Sequence, residues 1–168
     1  MKSLTTVLFI LLTLVFSPAS FSKELILSAN LAMDYPDPTL ISHTRSSLIF
    51  KYDNWSFVHE VVDPKSIYKS IDLTGIDQVF LISIFDKTKR DSLPSWLAAL
   101  SKDQAKEFNV TPTSVEKSAI GKAKITSVYD EERQSAQLYI FEELMTHHIT
   151  VYGSKEKLDL VKRSIKER

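Results

Sequence analysis

The residues with the most chemistry to offer are the four histidines, His43, His59, His147 and His148. Together with Glu60, Glu142 and Glu143 they supply the ligand types that a zinc or copper ion uses. Their spacing argues against a shared ion. Adjacent side chains on a strand leave on opposite faces, so His147 and His148 can send only one ring to any given site without a bulge. A helix would bring Glu143 and His147 to one side at i, i+4, but Met145 to Tyr152 is richer in strand formers than in helix formers. No metal site is expected, and surface or half-buried histidines are the ordinary outcome.

Hydrolytic chemistry has a similar standing. Serines are plentiful, but none sits in a GxSxG elbow and none has a partnered base visible in the sequence. A triad stays open to any chain order, so no catalytic residue is assigned. The acid pairs Glu131-Glu132 and Glu142-Glu143 could serve a glycosidase, which needs two carboxyls roughly 5 to 9.5 Å apart across a cleft. Neighbouring acids in charged turns read instead as solvated faces. Cysteine is absent, which removes thiol nucleophiles, disulfides, cysteine-rich zinc sites and redox pairs. The three glycines, Gly75, Gly121 and Gly153, stand too far apart for a GxGxxG fingerprint or a P-loop. No cofactor is expected.

Among the aromatics, Trp55, Trp96, Tyr35 and Tyr139 could stack on a sugar or grip a peptide, although the alignment of Trp55 and Trp96 with apolar neighbours favours core burial for both. The segment Met33 to Thr39 reads as an exposed loop in which Asp34-Tyr35-Pro36-Asp37-Pro38 holds an aromatic between prolines. A preorganised contact surface of that kind makes Tyr35 and Asp37 the candidate binding residues.

These residues need elements to hold them. Glu24 to Leu27 can start a strand. Ser46 to Tyr52 and Trp55 to Val62 are rich in aromatic and β-branched residues and flank Asp53-Asn54, a pair that tolerates the positive backbone angles of a hairpin turn. In the second strand Trp55, Phe57, His59 and Val61 form the expected core face. Asp63-Pro64 has the form of a helix start, with Ile67, Tyr68 and Ile71 along a short helix. Gln78 to Phe85 is a nearly continuous apolar run and the best candidate for a central, doubly buried strand. After a charged connector, Asp86 to Asp91, a helix is expected from about Leu93 to Phe108, with Ser92 as cap. Lys122 to Tyr129, Gln137 to Phe141 and Thr146 to Tyr152 read as strands, with Glu142 to Met145 either a turn or a continuation. Ser154 can cap a final helix with Leu158, Val161 and Ile165 on its apolar stripe. The predicted class is α+β: a largely antiparallel sheet with helices packed on its faces.

At 168 residues, 43% hydrophobic and 25% charged, the chain suits one folded domain. Met1 to Ser22 reads as a signal peptide, with Lys2 ahead of an apolar run from Leu4 to Phe16, within the roughly 7 to 15 residues of a secretory h-region and short of the roughly 18 that span a membrane. Ser20 and Ser22 suit cleavage before Lys23, and Ser17 and Ala19 suit cleavage after Ala19; an uncleaved anchor is the alternative. The expected organisation is a leader over 1–22, an N-terminal strand and proline-containing loop over 23–45, and an α/β core over 46–168. Loss of Lys2 leaves 20 basic residues against 21 acidic, a formal net charge of −1. That balance lacks the basic excess that draws a protein onto nucleic acid or an anionic membrane. A periplasmic or secreted domain with no stable membrane span after cleavage is the expectation.

The order hairpin, short helix, buried strand, longer helix, three strands and final helix, closing on His148-Ile149-Thr150-Val151-Tyr152-Gly153 and Ser154 to Ile165, resembles the PsbP/Mog1-like α/β/α sandwich over about Ser46 to Ile165. The resemblance is topological and carries no functional residue. It implies a non-catalytic module that binds proteins or serves assembly. The expected function is therefore an exported, non-enzymatic domain binding another protein or an envelope component, with an immunity or inhibitor protein as a specific version. The alternative is a small envelope hydrolase or metal-dependent enzyme in which His59, Glu60 or His147 converge in a concave pocket.

Overall fold

Two sheets and four helices build the structure, a computed structural model that describes residues 23–68 and 70–168. The expected signal peptide, Met1 to Ser22, lies outside the described residues. The strands are β1 (Lys23–Ile26), β2 (Leu31–Tyr35), β3 (Leu40–His43), β4 (Ser47–Lys51), β5 (Ser56–Val61), β6 (Val115–Ile120), β7 (Ala123–Asp130), β8 (Ser135–Phe141), β9 (Thr146–Tyr152) and β10 (Ile165–Glu167). The helices are α1 (Asp77–Phe85), α2 (Lys87–Asp91), α3 (Ser95–Glu107) and α4 (Lys155–Ser164). A seven-stranded antiparallel sheet runs in the order β3-β4-β5-β9-β8-β7-β6, and a three-stranded sheet in the order β1-β2-β10. The class is α+β, as the sequence predicts.

Alternation along the central strands makes two cores. Phe50, Phe57, Leu138, Ile140, Ile149 and Val151 face α4 and the small sheet, meeting Leu31, Met33, Leu158, Val161 and Ile165. The rings of Phe50 and Phe57 stack with centroids 4.4 Å apart. On the opposite face Tyr139, Phe141 and Val128 meet Phe80, Leu81, Ile84 and Phe85 of α1 and Leu97 and Ala105 of α3. Burial of side chains this large, each worth roughly 1.5 to 3 kcal/mol, is the main stabilising force in a domain without disulfides.

The hairpin of β4 and β5 forms as predicted, pairing Phe50 with Phe57 and Leu48 with His59. Its turn is closed by Tyr52 N–H donating to Trp55 O at 2.9 Å. Neither Asp53 nor Asn54 takes a positive φ; among the described residues the non-glycines that do are Asn109 and Gln134. Asn109, with φ 51°, ends α3. There Val110 N–H donates to Ala105 O and Asn109 N–H to Lys106 O, the paired bonds of a left-handed helix stop.

Several sequence-based expectations are corrected. Gln78 to Phe85 is not a strand but the body of α1. A short apolar run without flanking turn signals does not distinguish a buried strand from a buried helix. Here the buried positions Phe80, Leu81, Ile84 and Phe85 recur at helical spacing, while Val79 is exposed. Residues 63–68 contain no helix: Asp63 Oδ1 accepts from Lys65 N–H and Asp63 O from Ser66 N–H, closing a turn that leads to an isolated bridge between Tyr68 and Ile71. The charged connector is the short helix α2, because the Asp86 carboxylate accepts from Thr88 and Lys89 N–H and nucleates it. Ser92 therefore closes α2 rather than opening α3, which starts from Pro94. The segment 23–45 holds three strands instead of one, and Met33 and Tyr35 belong to β2 rather than to a loop. Ile165 leaves the last helix and pairs with Met33 in the small sheet. The helical faces of α1 and α3 are joined by polar contacts the sequence did not announce: Ser83 Oγ and Ser101 Oγ lie 2.7 Å apart, and Arg90 donates to Ser101 Oγ at 3.1 Å and to Ile84 O at 2.6 Å.

Candidate functional site

The pairing of β5 with β9 sets Glu60 opposite His148 and Val61 opposite His147. Strand alternation then divides four chemically active side chains between the two faces of the sheet. His59 and His147 point to the face covered by α4 and the small sheet, and Glu60 and His148 to the face covered by α1 and α3. The predicted separation of His147 from His148 is observed.

On the first face His59 Nε2 lies 3.1 Å from His147 Nδ1, and His147 Nε2 lies 3.0 Å from Glu142 Oε1. Ser28 Oγ donates to Glu142 Oε2 at 3.0 Å. Glu142 follows β8 directly, in the turn that Glu142 N–H closes on Met145 O; this segment is a turn, resolving the two alternatives. The carboxylate orders the protons. Where Glu142 accepts from His147 Nε2–H, the other ring nitrogen, Nδ1, is placed to accept from His59 Nε2–H. His147 is 0% exposed and His59 7%. Burial, and then the neighbouring His147, push the His59 pKa from 6.5 down to about 4.

On the second face His148 Nδ1 lies 2.9 Å from Glu60 Oε1, and Nε2 lies 2.6 Å from Gln137 Oε1. The Tyr139 ring stacks on His148 at 4.3 Å with an 11° interplanar angle. Hydrogen bonding to His148 holds the Glu60 carboxyl below its usual range despite partial burial. Glu60, His148 and Tyr139 line a cleft of 480 Å³ between the sheet and the helices.

The rings bind one another and the protein, so their nitrogens are largely spent. Among the described residues no group of three or more His, Asp or Glu side chains is placed to hold a metal ion. Ser28 bonds a carboxylate rather than a histidine. Of the acid pairs, Glu142 is spent on His147 and Ser28, whereas Glu143 is exposed, and Glu131 and Glu132 are exposed beside Asp130, which accepts from Glu132 and Arg133 N–H.

Tyr35 and Asp37 are separated by their surroundings. Tyr35 is half-buried, edge-on to Phe50 at 4.9 Å, while Tyr52 Oη donates to Pro36 O and fixes the start of the loop. Asp37 is exposed and pairs with Lys23 at 2.6 Å. The expectation for the tryptophans divides as well. Trp55 is half-buried, stacked on Tyr52 at 4.2 Å under Lys157 Nζ. Trp96 is 51% exposed, because α3 turns Leu97, Ser101 and Ala105 inward instead.

Sequence reasoning missed the most exposed apolar surface. Gln78 Nε2 donates to Glu142 O at 2.7 Å and ties the start of α1 to the β8–β9 turn. Ile76 and Val79 flank Gln78 in sequence and Leu144 and Met145 lie in the tethered turn; all four are exposed, Leu144 at 90%. A leucine within a Glu-Glu-Leu-Met-Thr turn was the available signal. Among the described residues no helix is long and apolar enough to cross a membrane. Comparison with protein-family models, curated proteins and solved structures returns no match, so the chemistry of the site rests on its geometry.

Proposed function

We propose that the protein is an exported, non-enzymatic domain that binds another protein or an envelope component, in the specific form of an inhibitor or immunity protein that covers its target. The observation that carries this reading is the exposure of Ile76, Val79, Leu144 and Met145 on the two segments that the Gln78 tether joins. Exposed apolar side chains on a helix start and a tight turn favour protein contact over solvent. The internal use of the histidine nitrogens supports binding over catalysis. The competing hydrolase reading draws on the His59–His147–Glu142 chain, and it requires His59 Nδ1 to act as base. A base of pKa about 4 is poorly matched to neutral-pH proton transfer.

The test is retention of a partner from the native envelope by tagged wild-type protein and by the double variant Val79→Asp, Leu144→Asp. Both positions are exposed, so the variant is expected to fold normally and lose the partner. A partner retained equally by a folded double variant would overturn the assignment of this surface.

A further inference from the structure

We propose that the cleft between the sheet and helices α1 and α3 is a binding site for a small uncharged molecule with an apolar body and one oxygen that accepts a hydrogen bond. This site is separate from the exposed apolar residues assigned to a protein partner. Its volume, 480 Å³, falls within the roughly 300 to 1,000 Å³ of small-molecule pockets. Phe80, Leu81 and Ile84 of α1, Ile67 of the preceding turn and Phe108 after α3 supply apolar walls.

The floor supplies a specific polar group. Tyr139 is 5% exposed, and its ring is fixed by His148 on one side and by Phe85, at 5.4 Å, on another. The Tyr139 hydroxyl makes no hydrogen bond among the described residues and is not fully enclosed, the enclosed unpartnered side-chain oxygens being Ser127 Oγ and Thr146 Oγ1; the residue lines the cleft. Burial and the charge of Glu60 raise its pKa, so the hydroxyl stays protonated and donates. The matching ligand group is therefore a carbonyl, ether or hydroxyl oxygen.

Charge of both signs lines the cleft, Glu60 and Asp63 against Arg45, so it presents no single-signed field to an ion. Gln104, half-buried on α3, also lines the cleft, and its amide has no side-chain hydrogen bond among the described residues. It adds a neutral polar contact opposite the sheet.

The probe is an uncharged propionyl-dimethylaminonaphthalene dye, whose ketone can accept from Tyr139 and whose emission shifts to the blue in apolar surroundings. The expected result is saturable binding at one dye per chain. Tyr139→Phe should keep the melting temperature and weaken binding about fivefold, the loss of one neutral hydrogen bond. Ile67→Trp, which fills the cleft from a half-buried wall position, should abolish the shift. Absence of saturable binding, or unchanged affinity in Tyr139→Phe, would overturn the proposal. Tighter binding of the anionic dye anilinonaphthalenesulfonate than of the ketone would overturn the assignment of an uncharged ligand.

Discussion

Acid should weaken this fold through His59, and the size of the effect follows from where the ring sits. In the unfolded chain the imidazole titrates near 6.5, and in the folded chain burial and His147 hold it at about 4. Between these values the unfolded state binds more protons than the folded one, so stability is complete above 6.5 and declines as pH falls towards 4. Linkage gives a loss of about 2.5 kcal/mol between pH 7 and pH 4.5 from this ring alone. The hydrogen bond to His147 survives protonation of His59 at Nδ1, because Nε2–H still donates across the 3.1 Å separation, so burial and repulsion from His147 carry the shift. Glu142 on the His147 side favours a proton on the chain, as does Glu60 on the neighbouring position, while His148 disfavours it. Urea unfolding at the two pH values should show a midpoint lower by about 1 to 2 M at pH 4.5 in the wild type. His59→Gln cannot titrate and should have a much flatter pH dependence, whatever its stability at pH 7. An equal drop in the midpoint for the two proteins would refute the reasoning.

Arg90→Ala removes donors to Ile84 O, Ser83 O and Ser101 Oγ and should cost about 2 to 3 kcal/mol in urea unfolding; a cost below about 0.5 kcal/mol would show that α1 and α3 hold together by apolar packing alone. Tyr35→Ala removes a half-buried ring from Phe50 and should cost about 2 kcal/mol, whereas Asp37→Ala should leave stability unchanged because its ion pair is exposed. Loss of partner retention in the folded Asp37→Ala protein would make the Pro36–Thr39 loop a second contact surface. N-terminal sequencing of the protein isolated from its native cells should begin at Lys23, and a chain that still begins at Met1 would contradict the proposed leader cleavage.

The parts of the fold that could be read from sequence are those with a strict period of two. Phe57 and His59 on one parity and Glu60 on the other oriented most of β5, although Val61, expected on the core face, is 47% exposed at the strand end, and the His147-His148 step sufficed to separate two rings across β9. The hairpin was legible for the same reason. Gln78 to Phe85 was not, since an element buried on most sides presents no polar face from which a period can be measured. The turn at Asp63 shows the opposite difficulty: an Asp-Pro pair opens either a helix or a simple turn, and the tertiary packing of Ile67 and Tyr68 beside α1 decides between them. Site chemistry was legible one residue at a time. Of the candidates His59, Glu60 and His147, the two histidines meet and Glu60 lies on the other face with His148, while the further partners Glu142, Ser28 and Gln137 are fixed by sheet register and by long-range packing. Leu144 escaped notice because a single apolar residue in a turn is common, and only the Gln78 tether joins its turn to the start of α1.

Photo-crosslinking from position 144 tests the central claim most directly. A photoactivatable residue placed there, in protein produced by its native cells, should capture one protein at high yield. The same residue at exposed Asp53, in the hairpin turn, should capture none. Equal labelling from both positions, or no specific product from position 144, would contradict the proposal that the exposed surface at Leu144 binds a partner.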